Sequence, residues 1–196
     1  MATAVKWVID PGHSKVQFKV RHLAIANVTG SFRSISGQVS AGQAGAGEAG
    51  EGQAADGRVG VERGGAGFEG AEVYLEMDAG SIDTNNAERD NHLKSELFLD
   101  AAKHPKILFR GVVTPGGDQL TGDLTILGNT RPVVLDIEHT GTGVGRFNDT
   151  RAGFEVTGKF NRRDFGLNFN LLTDVGNMVV GEEVRIIADV ELISQS

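Results

Sequence analysis

Apolar residues in this chain recur at every second position, in runs separated by turn signals. Across residues 14–23, Val16, Phe18 and Val20 share one face, Lys15, Gln17, Lys19 and Arg21 share the other, and His22 prolongs the inner face. A period of two marks a half-buried strand. The same phase returns at Val73, Leu75 and Met77, at Ile107 and Phe109, and at Leu120, Leu124 and Ile126. It continues at Val133, Leu135 and Ile137 and at Phe154, Val156 and Phe160, and is longest at Val184, Ile186, Ala188, Val190 and Leu192. Residues 5–9 add a short apolar strand ended by Asp10-Pro11-Gly12. Residues 28–40 read as one long strand carrying Phe32 and Val39, with Gly30 and Gly37 as bulge or bend positions. Turns are marked at Thr114-Pro115-Gly116-Gly117, at Gly128-Asn129 and in the glycine-rich residues 141–145. One-sided alternation with short turns indicates antiparallel pairing of about eight or nine strands. A sandwich and a closed barrel both satisfy the pattern, and a strand as long as 28–40 suits a coiled barrel better.

Two stretches depart from this period. Residues 84–98 read as the one main helix. Thr84 or Asn85 can cap it, Asn85 with Glu88 approximates a capping box, and Leu93, Leu97 and Ala101 share a face at four-residue spacing. Arg89 and Asp90 extend that face as a charged edge. Glu88 with His92 and Asp90 with Lys94 form acid-before-base pairs on it. Pro105 closes the segment, because the residue before a proline is pushed out of helical geometry. Residues 41–67 are mostly glycine, alanine and small polar residues without an apolar period. Such a composition cannot offset its ordering entropy, so a flexible insertion is expected within a single domain spanning 1–196. The strand–GxxxxGK–helix context of a nucleotide-cradling loop is missing there.

Composition narrows the partners. A net charge of −7 over 196 residues argues against nucleic acid and against a polybasic grip on anionic lipid. With no cysteine, disulfides, thiolate metal sites and cysteine nucleophiles are excluded. No apolar run is long enough for a transmembrane segment, and no basic-then-apolar leader pattern opens the chain, so a cytoplasmic protein is expected. Ten phenylalanines stand against one tyrosine and one tryptophan. Phenyl rings add bulk without a polar handle, which suits a packed core or an apolar channel. Phe18, Val20, Phe32, Leu75, Phe109, Leu124, Ile126 and Phe154 are the expected cavity wall, and His22 is expected to point into the barrel or its mouth. A buried chain of roughly 20 methylenes gains on the order of 16 kcal/mol gross, so apolar burial suffices without a charged anchor.

Several motifs occur in order: Trp7 to Ser14 (WVIDPGHS), Val16 to Leu23 (VQFKVRHL), Gly30-Ser31-Phe32, Ser81-Ile82-Asp83-Thr84-Asn85, and Arg89-Asp90-Asn91-His92-Leu93. Phe98-Leu99-Asp100, His104-Pro105, Gly122 to Gly128 (GDLTILG) and Arg163-Asp164-Phe165-Gly166-Leu167 complete the series. The chain resembles the YceI family of bacterial polyisoprenoid-binding proteins over nearly its whole length except residues 41–67. That resemblance implies an all-β, extended, lipocalin-like antiparallel barrel of about eight strands holding a polyprenyl or fatty-acyl lipid, with no catalysis and no required cofactor. It departs from many members in lacking a signal peptide and in the length of the glycine-rich insertion.

Arg89, Asp90 and His92 are the headgroup candidates, since a guanidinium suits phosphate and carboxylate. The plainer alternative has Arg89 and Asp90 satisfying loop backbone and His92 on the solvated helix face. Phe165, in the polar–apolar cluster 162–167, is either tucked beneath the barrel or part of a ligand mouth. His13, His22, His92, His104 and His139 follow no metal-ligand spacing, and His13 is expected to bond near the Asp10-Pro11 turn. No nucleophile elbow or paired carboxylates can be argued from spacing. The expected partner is a long-chain lipid held for sequestration, carriage or storage, with a homodimer left open. The rivals are an isoprenoid-modifying enzyme and a stress-related scaffold with a filled barrel.

Overall fold

The structure, a computed structural model, describes residues 5–41, 67–169 and 179–195. The strands follow the alternation: β1 (Val5–Ile9), β2 (Lys15–His22), β3 (Ala26–Phe32), β4 (Ile35–Ala41), β5 (Glu72–Asp78) and β6 (Ile82–Asp83). Then come β7 (Lys106–Val113), β8 (Gln119–Ile126), β9 (Asn129–Val144), β10 (Thr150–Asn161) and β11 (Val180–Gln195). Every ladder is antiparallel.

Eleven segments make eight full-length strands, because β1–β2, β3–β4 and β5–β6 are each one strand broken in the middle. β2 pairs with β3 and β1 with β4, while β3 pairs with β6 and β4 with β5. The sixteen-residue β11 runs alongside both halves of the first strand. Asp189 faces Lys15 of β2, and Leu192 faces Ile9 of β1. That last pairing closes an up-and-down meander into a barrel and decides against a sandwich, with the two-residue β6 held only by the end of β3.

Three local readings change. Residues 28–40 are not continuous, since β3 and β4 part at Arg33-Ser34. There the N–H groups of Arg33 and Ser34 turn away to Ser81, bonding its carbonyl at 3.2 Å and its hydroxyl at 3.1 Å. Gly30 and Gly37 sit in regular register opposite Phe18 and Leu75 rather than at bulges. The glycine-rich residues 141–145 are no turn for most of their length: β9 continues through Val144, with a bulge where the β10 register shifts between Gly153 and Phe154. Gly141, at φ 149°, supplies the conformation a side chain would resist. The chain reverses over residues 145–149, where Asn148 N–H bonds Gly145 O.

The helix is shorter than 84–98. α1 spans Ala87–Lys94, with Asn86 as its cap: the side chain accepts from Arg89 N–H at 2.9 Å. Ser95 ends it in extended geometry, its hydroxyl donating to His92 O at 2.7 Å. Leu97 therefore leaves the apolar face and is 53% exposed. Of the expected insertion 41–67, residues 42–66 lie outside the described residues.

Candidate functional site

The inward side chains do not fill the barrel. They leave a cavity of about 470 Å³, within the ~300–1,000 Å³ usual for small-molecule sites. β2 contributes Phe18, Val20 and His22 to its wall, β3 Phe32, and β5 Leu75. Phe109, Leu124, Ile126 and Phe154 come from β7, β8 and β10. At the far end Trp7 is wholly buried, with its ring 5.2 Å from that of Phe68. Phe68 in turn meets Phe154 edge-on at 4.9 Å, closing the floor. Among the described residues, the mouth lies at the opposite end, where the end of β2, α1 and residues 162–169 border the cavity.

Polar groups gather at that mouth. Arg21, His22, Arg89 and His92 all border it. Arg89 is held by Thr84: its Nε donates to Thr84 Oγ1 at 2.8 Å and a terminal N–H donates to Thr84 O at 2.9 Å. His92 does not lie on a solvated helix face. Its ring meets Phe98 at 5.3 Å and Phe169 at 4.9 Å, both edge-on, in an aromatic group at the rim.

Two expected site residues stand elsewhere. Asp90 is 8% exposed and turns back into the fold, where Oδ1 accepts from Thr84 N–H at 2.9 Å and Thr84 Oγ1 at 2.6 Å. It locks the entry to α1, which is the loop-satisfying alternative. Phe165 is 1% exposed and packs edge-on against Phe160 at 5.0 Å, outside the cavity wall. Its neighbour Arg162 does reach the cavity, yet its donors are spent on backbone oxygens. It donates to Gly181 O at 2.9 Å, Phe169 O at 3.0 Å and Leu167 O. Burial pulls the Arg162 guanidinium below its ordinary pKa.

A second polar cluster joins parts of the chain that spacing could not connect. Asp10 and Glu191 converge on Arg151, and His13 joins the cluster through Asp10. Arg151 donates to Asp10 Oδ2 at 2.8 Å and to Glu191, and a further N–H reaches Asp149 at 2.6 Å. His13 bonds Asp10 at 2.7 Å, as expected for that turn. The His13 hydrogen bond, with help from Gly12 N–H and Arg151, holds the Asp10 carboxyl down at about 2. Asp10 in return raises the His13 pKa. The guanidinium stands where a cation would bridge the carboxylates. None of the four borders the cavity, so the cluster reads as a clasp on the strand junction.

The family model for the YceI-like domain matches residues 7–192. The chain belongs to the YceI-like family. Protein YceI of Escherichia coli O157:H7 is 34% identical over 199 residues, covering 99% of this chain and 90% of that protein. Among solved structures, Burkholderia cenocepacia BcnA superposes with a TM-score of 0.68 at 19% identity, covering 93% of this chain and 98% of that one. A polyisoprenoid-binding domain from Saccharophagus degradans, implicated in plant cell wall breakdown, superposes with a TM-score of 0.62 at 14% identity, covering 96% and 98%. At these identities the superpositions speak for the fold.

The YceI-like span runs from Trp7, behind the cavity floor, to Leu192, where β11 closes the barrel. Sequence reasoning missed Phe68, Phe98 and Phe169, which sit in irregular segments where alternation has no say. Phe68 had one signal: it is the first large apolar side chain after the glycine-rich residues. Among the described residues, no helix is long and apolar enough to cross a membrane.

Proposed function

We propose that this YceI-like barrel binds one long-chain apolar lipid, of polyisoprenoid or fatty-acyl type, and holds it for sequestration, carriage or storage rather than for chemical conversion. One observation carries the reading: a cavity of about 470 Å³, walled by apolar side chains from the barrel strands, floored by Phe68 and Phe154 and bordered at the other end by Arg89 and His92. The polyisoprenoid-binding domain of Saccharophagus degradans, with a similar fold, supports the ligand class. Each methylene moved from water into such a wall contributes about 0.8 kcal/mol, so chain length rather than a polar anchor sets affinity. This reading assigns Arg89 to an anionic headgroup, because a guanidinium suits phosphate and carboxylate and Thr84 fixes its orientation.

Native mass spectrometry of gently purified protein tests this. A single adduct of lipid mass is expected, lost on organic extraction and regained when a long-chain prenol or fatty acid is added back. A protein that carries no lipid and takes up neither compound would sink the reading. A bound prenyl lipid leaving as a chemically distinct product would replace binding with catalysis.

A further inference from the structure

The loop from β2 to β3 carries Leu23-Ala24-Ile25 and runs into Ala26 of β3, four exposed apolar residues with no polar side chain among them. Ile25 is 81% exposed and Leu23 37%. Leu23 and Ala24 stand at φ 50° and 59°, and Ile25 N–H donates to His22 O at 3.1 Å. Two consecutive left-handed residues in a hairpin call for Asn-Gly, because a Cβ in that conformation is strained. Here the strained positions carry a leucine and an alanine, and the loop presents them to solvent. The β9–β10 tip also exposes a large side chain, Phe147, but at the closed end and between Arg146 and Asn148.

The β2–β3 tip sits on the rim of the cavity. Leu23 N–H donates to Val179 O at 2.8 Å, and His22 and Val179 both border the opening. We propose that residues 23–26 form a bilayer anchor, sinking into the interfacial layer of a membrane so that the cavity mouth faces the acyl chains. The tip adjoins His22 and Val179 of the cavity wall, and Arg21 and Arg89, which also border the cavity, would meet the headgroups. A four-residue tip falls far short of the ~800 Å² that each side of a specific protein interface buries, whereas marginal, reversible docking on a bilayer needs only a short apolar segment. The geometry is independent of the lipid-binding reading; the use made of it, passing a chain between membrane and barrel, rests on that reading.

Flotation of the full chain with phosphatidylcholine vesicles tests the anchor, against Ile25→Ser and against the double variant Leu23→Asn, Ala24→Gly. A measurable, lipid-concentration-dependent fraction of the wild type is expected to float. Each variant should partition about tenfold less, by loss of a buried aliphatic side chain. The double variant supplies the residues the turn prefers, so its melting temperature should equal or exceed that of the wild type, separating lost docking from lost folding. Both variants should still take up a long-chain prenol from detergent. Equal flotation of all three proteins, or none by the wild type, overturns the anchor. So does a concentration-dependent dimer that the variants abolish, since the tip would then serve a second copy of the chain. Tip-dependent flotation of a protein that takes up no lipid leaves the anchor standing and removes the binding reading.

Discussion

Gly30 faces Phe18 across the β2–β3 ladder, and a methyl group added there would lie 2.6 Å from Phe18 Cε1 and 2.8 Å from Thr84 Cγ2. The glycine lets a phenyl ring lie flat across the strand and form part of the cavity wall. Gly30→Ala is therefore expected to cost about 1–3 kcal/mol in urea denaturation, as overpacking does, and Phe18→Leu in the same chain should return much of it. If Gly30→Ala were neutral, the ring would have room to move aside. Charged residues give a second test, in the Asp10 clasp. The Asp10 pKa is lowered from 3.8 to about 2, so its stabilisation is full above pH ~4 and fades as pH falls toward 2. The His13 pKa is raised from 6.5, so that share is full below 6.5 and fades as pH rises beyond it. The melting-temperature gap between wild type and Asp10→Asn should be widest between pH ~4 and ~6.5 and narrow on both sides. A gap independent of pH would remove the clasp. The His13 half of the clasp was legible in the turn, but the Arg151 half was not, because Asp10 and Arg151 lie 141 residues apart and meet only when the barrel closes.

At the scale of elements, two polar fastenings hold the mouth. Thr84 Oγ1 donates to Asp90 and accepts from Arg89, so one hydroxyl ties the start of α1 to the end of β6. Thr84→Val keeps the shape but leaves a buried carboxylate short of a donor. About 1–3 kcal/mol should be lost, and amide exchange across α1 should quicken while that of β8 and β9 is unchanged. Arg162 plays the corresponding part between β10 and β11, with backbone oxygens as its acceptors. Arg162→Lys should cost at least about 2 kcal/mol, because an ammonium cannot span a planar fork of carbonyls. Unchanged stability would mean that water replaces the guanidinium. These elements also mark how far periodicity reaches. Strands were legible because one wall of each is apolar and the other wet. α1 was overextended because Leu93, Leu97 and Ala101 keep helical spacing, while the end of the helix is set by Ser95 bonding His92 O. Spacing of apolar residues carries no trace of a serine that turns the chain.

For the molecule as a whole, alternation foretold which side chains face inward but not whether they meet. The inward residues of β2, β5, β7, β8 and β10 line the cavity, whereas its floor joins Phe154 to Phe68, from an irregular segment, with Trp7 packed behind Phe68. Whether that interior is a channel or a filled core can be decided by adding volume to it. Val20 is half-buried and faces the cavity between Val28 and Val184, its neighbours in the two flanking ladders. Ile126 also borders the cavity but is only 4% exposed. A tryptophan at Val20 has empty space to enter once the ligand is gone. Val20→Trp is therefore expected to abolish bound lipid while the unfolding midpoint of the lipid-free protein stays constant. Ile126→Phe is expected to cost about 1–3 kcal/mol, because a packed wall has to strain to admit it. Native mass spectrometry and urea denaturation of both variants read the two effects separately. Lipid retained by Val20→Trp, together with a loss of stability as large as that of Ile126→Phe, would mean that the barrel is filled by its own side chains and that the lipid lies elsewhere.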